Sequence, residues 1–517
     1  SLGHLFMNPG KVVIGSPEDY LPAMAAANVI VDIAQRRRLT EQAVADAAAG
    51  MGGQVLPDDE LLDIVTNLVE HPYATAGRFD REFLELPDEV LITAMREHQK
   101  YFAVGDAQGK LMPGFIAVNN TRAKDMDLVA QGHERVIRAR LADAQFFYRA
   151  DLKVPLDESV TRLKGVTFQA KLGTVRAKVQ RVARLAEALA PEVQAQPEWA
   201  AEAGDDFGLR VARAALLSKS DLVSEMVGEF PKLQGVMGRI YATQAGEAPD
   251  VAAAVEDHYR PVQSGSALPD TLTGAVVSIA DKMDSICGFF SVGLSPTGGA
   301  DPYALRRQGI GIIRILKARK LALSLELLIA RGLSPFEFAS EDARQAMAAQ
   351  ILEFLGSRIA RILADEGYSK DVIAAVRAVS VDRIDDVWQR VAALEALKKA
   401  PDFEPLAVSF KRVVNIIKKS GDQGVADIEQ DKFQQAAEGE LLSACRQATR
   451  EVENYLAQRA YAEALKTMAG LRPVVDRFFD DVMVMAEDIQ VRANRLALLG
   501  SVAALFSRFA DFSQLST

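Results

Sequence analysis

The sequence predicts a multidomain, mainly α-helical chain with a mixed α/β part at its N-terminus. The 517 residues exceed what one hydrophobic core accommodates, so two to four domains are expected. Short strand-like runs occur before about residue 160, among helical segments. From about residue 165 onward, apolar residues recur at three- and four-residue steps, which is the period of amphipathic helices.

Within the first 160 residues, the spacing predicts one helix over 22–50, ended by Gly50. Two β-rich runs, 101–104 and 115–118, flank a loop rich in Gly, Asp and Gln, which indicates a hairpin or adjacent strands. Helical spacing returns at 132–151. The N-terminal part is therefore expected to be a small mixed α/β domain.

Helical spacing dominates the rest of the chain. The predicted helices cover, in order, 175–190, 208–227, 250–260, 271–293 and 302–318, with two or three more within 333–400. The last part is again helical, with an interruption at 418–427. The predicted domains are 1–160 (mixed α/β), 161–330 (helical), 331–400 (a helical linker region) and 401–517 (helical).

Composition restricts the class of protein. Cys287 and Cys445 lie in apolar helical contexts, so buried thiols and a reducing cytoplasm are expected. No apolar run approaches the roughly 20 residues that span a bilayer, and Ser1–His4 has no signal-peptide layout. The net charge of −10 argues against a generally cationic protein, so each basic face is judged separately.

The sequence holds no complete catalytic set of a familiar type. None of the five histidines lies in an HExxH or Cys–His zinc spacing. No GxSxG nucleophile elbow and no GxxxxGK[ST] phosphate loop occurs. We therefore expect no catalytic residue and no metal site in this chain.

The segment 165–295 resembles the HD phosphohydrolase superfamily, in which a His, a His-Asp pair and a distant Asp bind a divalent metal that activates water. Here a lysine stands at the first His position, where it repels a cation, and a serine replaces the second His. The favoured interpretation is a helical scaffold without its metal; a phosphohydrolase that uses Asp221, His258 and Asp281 is the alternative. The degenerate positions are Lys178, Ser220, Asp221, His258 and Asp281.

The stretch SPTGGADPYALRRQG (295–309) has glycines before a helix, as phosphate-binding loops do. Asp301 is a good N-cap and Pro302 suits the first helical position. The carboxylate would then occupy the free backbone donors and place negative charge where a phosphate would bind, so a phosphate loop is disfavoured.

Two arginines follow in that stretch. Arg306 shares its side of the helix with apolar residues, which predicts an internal ion pair with Asp281 or Asp284. Three other cations, spaced seven and ten residues apart, lie on one face of the same helix and are candidates for contact with RNA or a partner. They are Arg307, Arg314 and Lys317.

The C-terminal part contains two further basic groups that can neutralise phosphates. Lys411 with Lys418, and Arg412 with Lys419, repeat at one heptad beside an apolar stripe. The alternative is a solvated face whose last lysines favour the C-terminal dipole. The second group is Arg492 and Arg495, which lie about one helical turn apart and can contact RNA. The alternative is that these two arginines pair with acidic residues. The candidate acids are Asp480, Asp481 and Glu487.

The chain is similar to the β subunit of bacterial heterotetrameric glycyl-tRNA synthetase in several stretches, which follow in the family's order. Among them are VLITAMREHQKYFAV, GHERVIRARLADAQFFYRAD and SIADKMDSICGFFSVGLSPTGGADPYALRRQ. The resemblance implies that a separate α subunit activates glycine with ATP and Mg²⁺, with no cofactor in this chain. It implies an α2β2 assembly in which the β subunit supplies most contacts to tRNA(Gly). Family members are expected to extend further at the N-terminus.

The resemblance also assigns the domains. Residues 161–330 correspond to an HD-like domain, and 401–517 to a DALR-like anticodon-binding domain with NRLALL (494–499) as its signature. The N-terminal 1–160 then belongs to the tRNA-binding body. The candidate tRNA-binding residues are Arg307, Arg314, Lys317, Lys411, Arg412, Lys418, Lys419, Arg492 and Arg495.

Overall fold

The computed structural model describes residues 1–263, 265–400, 403–420 and 428–516, without the side chains of 405–407 and 418–420. The helices of this part are α1 (Tyr20–Ala26), α2 (Ile33–Gly50), α3 (Asp59–Leu68), α4 (Asp88–Thr93), α5 (Met126–Asp151), α6 (Leu156–Arg162), α7 (Val175–Gln194), α8 (Ala200–Ala203), α9 (Phe207–Leu217), α10 (Glu225–Glu229), α11 (Val236–Gln244), α12 (Pro249–Asp257), α13 (Leu272–Ser291), α14 (Leu305–Ala318), α15 (Leu325–Leu333), α16 (Glu341–Asp365), α17 (Lys370–Arg377), α18 (Ile384–Lys398), α19 (Phe403–Ser420), α20 (Ala436–Ala457), α21 (Tyr461–Ala469), α22 (Arg472–Asp481) and α23 (Ile489–Ser507). The strands are β1 (Gln54–Val55), β2 (Tyr73–Arg78), β3 (Phe102–Gly105), β4 (Leu111–Asn119), β5 (Thr167–Gln169) and β6 (Gly173–Thr174).

The fold is multidomain and mainly helical, as predicted, and the chain forms two compact units. The first unit consists of Ser1–Thr167, Thr174–Val179 and Leu216–Glu256. The second consists of Phe168–Gly173, Gln180–Ala215 and Asp257–Thr517.

The first unit is built around an antiparallel sheet in the order β1-β3-β4-β2. The predicted hairpin is confirmed, since β3 pairs with β4 and Phe102 lies opposite Ile116. Alternate side chains point to opposite faces of a sheet. Phe102 and Ile116 pack with α2 and α3, whereas Phe115 packs with α5, α10 and α11, so helices cover both faces.

The region 22–50 forms two helices, so the prediction of one helix was wrong there. Asn28 has a left-handed backbone (φ 61°), which ends α1. The side chain of Asp32 then accepts a hydrogen bond from the Gln35 N–H at 2.7 Å and begins α2. As predicted, α2 ends at Gly50.

A second difference concerns the predicted helix 208–227. Helix α9 ends at Leu217 and a separate helix, α10, begins at Glu225. The hydroxyl of Ser224 caps α10 by accepting from the Val227 N–H. Apolar spacing continued through this break, which is why the pattern did not reveal it. The three helices α16, α17 and α18 agree with the prediction for 333–400.

In the second unit, α13 is buried along nearly its whole length and packs against α14, α15 and α16. A helix buried all round has no solvated face for its polar residues. Asp281, Lys282 and Asp284 are therefore held inside the protein. Both cysteines are buried as predicted.

Five helices, α19 to α23, form the C-terminal part of the second unit. The Phe410 ring of α19 packs against Phe506 of α23 and against Phe512, at centroid distances of 4.5 and 5.3 Å. Helix α20 packs on α21, α22 and α23. Residues 421–427 of the predicted interruption lie outside the described residues. No described helix is both long and apolar enough to cross a membrane.

Candidate nucleic-acid interface

The side chain of Asp221, one of the degenerate HD positions, is hydrogen-bonded to the backbone at the start of α11. Its side chain is 1% exposed, and Oδ2 accepts hydrogen bonds from the N–H groups of Gly235 (2.6 Å) and Gly238 (3.1 Å). These are free donors at the N-terminus of α11, so the carboxylate acts as a cap from a distant segment. Burial raises the pKa of Asp221 to about 6, although these hydrogen bonds oppose the increase.

The other degenerate HD positions are also buried. Lys178 and Ser220 lie with Asp221 in the first unit, while His258 and Asp281 belong to the second. Among the described residues, no group of three or more His, Cys, Asp or Glu side chains lies close enough together to hold a metal ion. The arrangement gives no support to the alternative of a metal-dependent phosphohydrolase.

Two buried charges of α13, those of Asp284 and Lys282, have partners within the second unit. Asp284 receives a bidentate pair from Arg181, with 2.7 Å from Nε to Oδ1 and 3.2 Å from Nη2 to Oδ2. Lys282 donates to the carbonyl oxygens of His258 and Arg260 at 3.0 and 2.9 Å. These contacts hold the helix core together and leave Asp284 committed to Arg181.

The predicted ion pair of Arg306 with Asp281 or Asp284 was wrong. The Arg306 guanidinium donates instead to the carbonyl oxygen of Gly298. Helix α14 also begins at Leu305 rather than at 302, because Ala304 has a left-handed backbone (φ 53°). Asp301 nevertheless caps it, since its two oxygens accept from the N–H groups of Leu305 (2.8 Å) and Arg306 (2.9 Å).

The cations predicted to share one face of α14 have different surroundings. Arg307 is exposed and has no side-chain partner among the described residues. Arg314 is half-buried and donates to the carbonyl oxygen of Ser266 at 3.1 Å. Lys317 forms an ion pair with Glu366 at 2.5 Å, so its charge is already compensated.

The C-terminal helices carry a cation stacked on an aromatic ring. Arg412 of α19 is exposed, and its guanidinium lies 4.1 Å from the ring centroid of Phe479 at the end of α22. Lys411 is half-buried beside it. The side chains of Lys418 and Lys419 lie outside the described residues. An exposed guanidinium over an aromatic ring is a surface suited to stacking on nucleic-acid bases.

Arg495 lies inside the domain. It is 5% exposed and donates to Glu438 Oε1 (3.0 Å), the Met483 carbonyl oxygen (2.9 Å) and Gln434 Oε1 (3.1 Å). The prediction that Arg495 faces RNA does not fit this burial. The alternative, that Arg495 pairs with an acid, is confirmed, but the acid is Glu438 and not Asp480, Asp481 or Glu487.

Arg492 is half-buried and donates to the Ala486 carbonyl oxygen at 3.4 Å. Together Arg492 and Arg495 thus hold the segment 482–488, which joins α22 to α23. This segment and the start of α23 present apolar side chains to solvent: Met483 is 77% exposed, and Met485 and Ile489 are also exposed.

Sequence reasoning missed Phe479, Met483 and Met485 as surface residues. The signal available was the VMVM run after FFDD, which breaks the helical period while staying apolar. Without the packing of α19 against α22, the run is indistinguishable from a buried strand or helix end. Exposed apolar groups that follow Phe479, the ring beneath Arg412, within a few residues of the chain mark this stretch as a candidate binding surface.

A family model assigns the class of this multidomain helical protein: its C-terminal domain is of an anticodon-binding type. Residues 406–511 match the family model of the DALR anticodon binding domain. Residues 1–378 match the model of the glycyl-tRNA synthetase beta subunit.

The relatives agree over the whole chain. The glycine–tRNA ligase beta subunit of Desulforapulum autotrophicum is 50% identical over 513 residues, which covers 99% of this chain and 73% of the relative. That of Geotalea daltonii is 47% identical over 516 residues, covering 100% of this chain and 73% of the relative. The chain therefore belongs to the glycyl-tRNA synthetase beta subunit family.

Proposed function

We propose that this chain binds tRNA(Gly) and supports its ATP-dependent glycylation as the beta subunit of a glycine–tRNA ligase. Its membership of the beta subunit family and the anticodon-binding domain at 406–511 support this function. The structural observation that carries the proposal is the stacking of Arg412 on Phe479 at an exposed edge of that domain.

The stacked pair suits single-stranded RNA for a physical reason. Anticodon bases are unstacked in the loop, and proteins read such bases by stacking them on aromatic rings and guanidinium planes. Arg412 offers a flat cationic surface, and Met483 and Met485, which follow Phe479 in the chain, present exposed apolar groups. The acidic net charge keeps the rest of the surface repulsive to RNA, so binding is confined to such patches.

We propose that ATP and Mg²⁺ act on a separate α subunit, and that two copies of each subunit form an α2β2 tetramer in the cytoplasm. The relatives carry the name beta subunit, which implies an α partner. The absence of a GxxxxGK[ST] loop from the sequence agrees with nucleotide chemistry on another chain. Lys178 at a ligand position of the HD-like region is unsuited to a cation, so no metal is assigned there.

The test measures tRNA(Gly) binding and aminoacylation by this chain combined with the α subunit. Arg412→Glu is expected to weaken tRNA binding at least about tenfold, because it removes a stacking surface and repels phosphate. Glycine-dependent pyrophosphate exchange, which needs no tRNA, is expected to remain close to wild type.

Arg477→Glu provides a charge-matched control. Arg477 is exposed on α22, the helix that carries Phe479, and it pairs with Glu440 at 2.9 Å. If both variants weaken tRNA binding equally, the effect is one of general charge and the stacked pair is not the contact. If the wild-type chain binds neither tRNA nor the α subunit, the proposed function is wrong.

A further inference from the structure

The second unit has a groove alongside the N-terminal half of α14, with a volume of about 410 Å³. Three arginines line it, and we call it the arginine groove. Its wall residues include Pro261, Asp301, Arg306, Arg307, Gly311 and Arg314. The volume lies within the range of sites that hold small ligands.

The arginines of the groove lack carboxylate partners. Arg306 donates to a backbone carbonyl oxygen, Arg314 donates to backbone carbonyls, and Arg307 is exposed. None of the three forms an ion pair with an acidic side chain of the described residues. Arg181 of the same unit, in contrast, forms an ion pair with Asp284.

A fourth arginine adds to the positive field. The stem of Arg358 on α16 packs beside Gly309, since a Cβ at Gly309 would lie 3.5 Å from Arg358 Cγ. The buried Nε of Arg358 has no hydrogen-bond partner among the described residues. Burial, and next the charge of Arg306, lower the pKa of Arg358. The positive charges here repel each other in the free protein.

Asp301 offsets this charge only in part. Both of its carboxylate oxygens accept from backbone N–H groups of α14, so the side chain serves as the helix cap. The sequence has 70 acidic and 60 basic residues, so acidic side chains outnumber basic ones. None of the described acidic residues forms an ion pair with these four arginines. Like charges held close together repel each other, and a ligand of opposite sign would relieve that repulsion.

We propose that the arginine groove binds neighbouring phosphate groups of an RNA backbone through Arg306, Arg307 and Arg314. Guanidinium groups match phosphate oxygens with paired hydrogen bonds, and several like charges require a ligand with several negative charges. That this RNA is tRNA rests on the proposed function. The double arginine of residues 295–309 thus contributes to a phosphate site through its side chains, and Gly298 holds Arg306 through its carbonyl oxygen. The helix N-terminus, in contrast, is closed by Asp301.

The experiment uses this chain and two probes, a tRNA(Gly) transcript and inorganic pyrophosphate. Arg307→Ala is expected to raise the Kd for tRNA about tenfold and to make the slope of log affinity against log salt shallower by about one. Pyrophosphate is expected to raise the Tm of the wild type, but less so that of Arg307→Ala. The control is Arg361→Ala, which removes an exposed arginine of α16 paired with Asp365.

Arg358→Met separates binding from folding. We expect this variant to have a higher Tm than the wild type, because it removes a repelled and partly buried charge, and yet to bind tRNA more weakly. A merely structural role for Arg358 would instead lower the Tm.

Two outcomes overturn the inference, and a third overturns the proposed function on which it rests. If Arg307→Ala and Arg361→Ala have equal tRNA affinity and salt slope, the groove does not contact RNA. If only the pyrophosphate effect depends on Arg307, the phosphate belongs to a free nucleotide and the RNA assignment is wrong. If the wild type binds no tRNA, the proposed function fails, and the pyrophosphate result alone then decides whether the groove binds phosphate.

Discussion

Arg495 and Glu438 form a buried ion pair, with 3.0 Å between Nε and Oε1. Glu438 also accepts hydrogen bonds from the backbone N–H groups of Gln434 and Gln435 at the start of α20. Arg495 extends from α23 to the carbonyl oxygen of Met483. One pair of charges therefore connects α20, α23 and the exposed segment 482–488 of the proposed RNA surface.

Arg495→Ala should destabilise the C-terminal helices by about 3–5 kcal/mol, because it leaves the Glu438 carboxylate buried without its cation. Hydrogen exchange of the α20 and α23 amides measures this loss locally. Arg477→Ala, which breaks an exposed pair with Glu440, should cost less than about 1 kcal/mol. Similar exchange in the two variants would contradict the assigned role of the buried pair.

The Arg495–Glu438 pair also predicts that the C-terminal helices lose stability at low pH. Burial acts to raise the pKa of Glu438, but the hydrogen bonds from Arg495 and the backbone outweigh it, so the pKa lies below its ordinary 4.5. A lowered pKa gives stability that is present above about pH 4.5 and lost as the pH falls through the folded value. The protection factors of the α20 amides, which are exchange rates corrected for the intrinsic rate at each pH, should therefore fall below pH 4.5 in the wild type. Glu438→Gln should show a weaker dependence, and an unchanged one would refute this cause.

For Asp221 in the first unit, we expect the free energy of unfolding to change with pH in the opposite direction. Its pKa is raised from 3.8 to about 6, so between these values the folded state holds a proton that the unfolded state has released. Stability should then fall as the pH rises from about 4 to about 6, by about 3 kcal/mol if the whole shift is realised. The protection factors of the α11 amides, corrected for the intrinsic exchange rate at each pH, measure this, and Asp221→Asn should flatten their dependence on pH. A slope that persists in Asp221→Asn must come from another group.

The sequence predicted the helical class and the β3–β4 hairpin because periodicity reports which faces are buried. It did not predict the partners of charged residues. Arg306 and Arg495 lie on apolar helical sequence, and spacing shows that such arginines need partners without showing which distant segment supplies them. Glu438 lies 57 residues from Arg495. The break at Asn28 was also missed, because a left-handed residue leaves the apolar pattern unchanged.

The close approach at Gly238 also gives a testable outcome. A Cβ there would lie 2.6 Å from Val255 Cγ1 and 3.2 Å from Asp221 Oδ2. Gly238→Ala should destabilise the first unit by about 1–3 kcal/mol through overpacking, measured by urea denaturation. Adding Val255→Ala removes the nearest methyl group and should restore part of the loss. If the double variant is less stable by the sum of both single effects, Val255 is not the obstacle.

Arg412→Lys separates charge from stacking on the proposed RNA surface. Lysine keeps the positive charge but loses the flat guanidinium that lies over Phe479. The salt dependence of tRNA binding should therefore stay close to wild type, while the affinity falls less than in Arg412→Glu. Phe479→Leu should lower the affinity by about 1–3 kcal/mol with the same salt slope, because it removes the ring and no charge. If Arg412→Lys binds as tightly as wild type and Phe479→Leu does too, Arg412 acts only as a charge and no base stacks there.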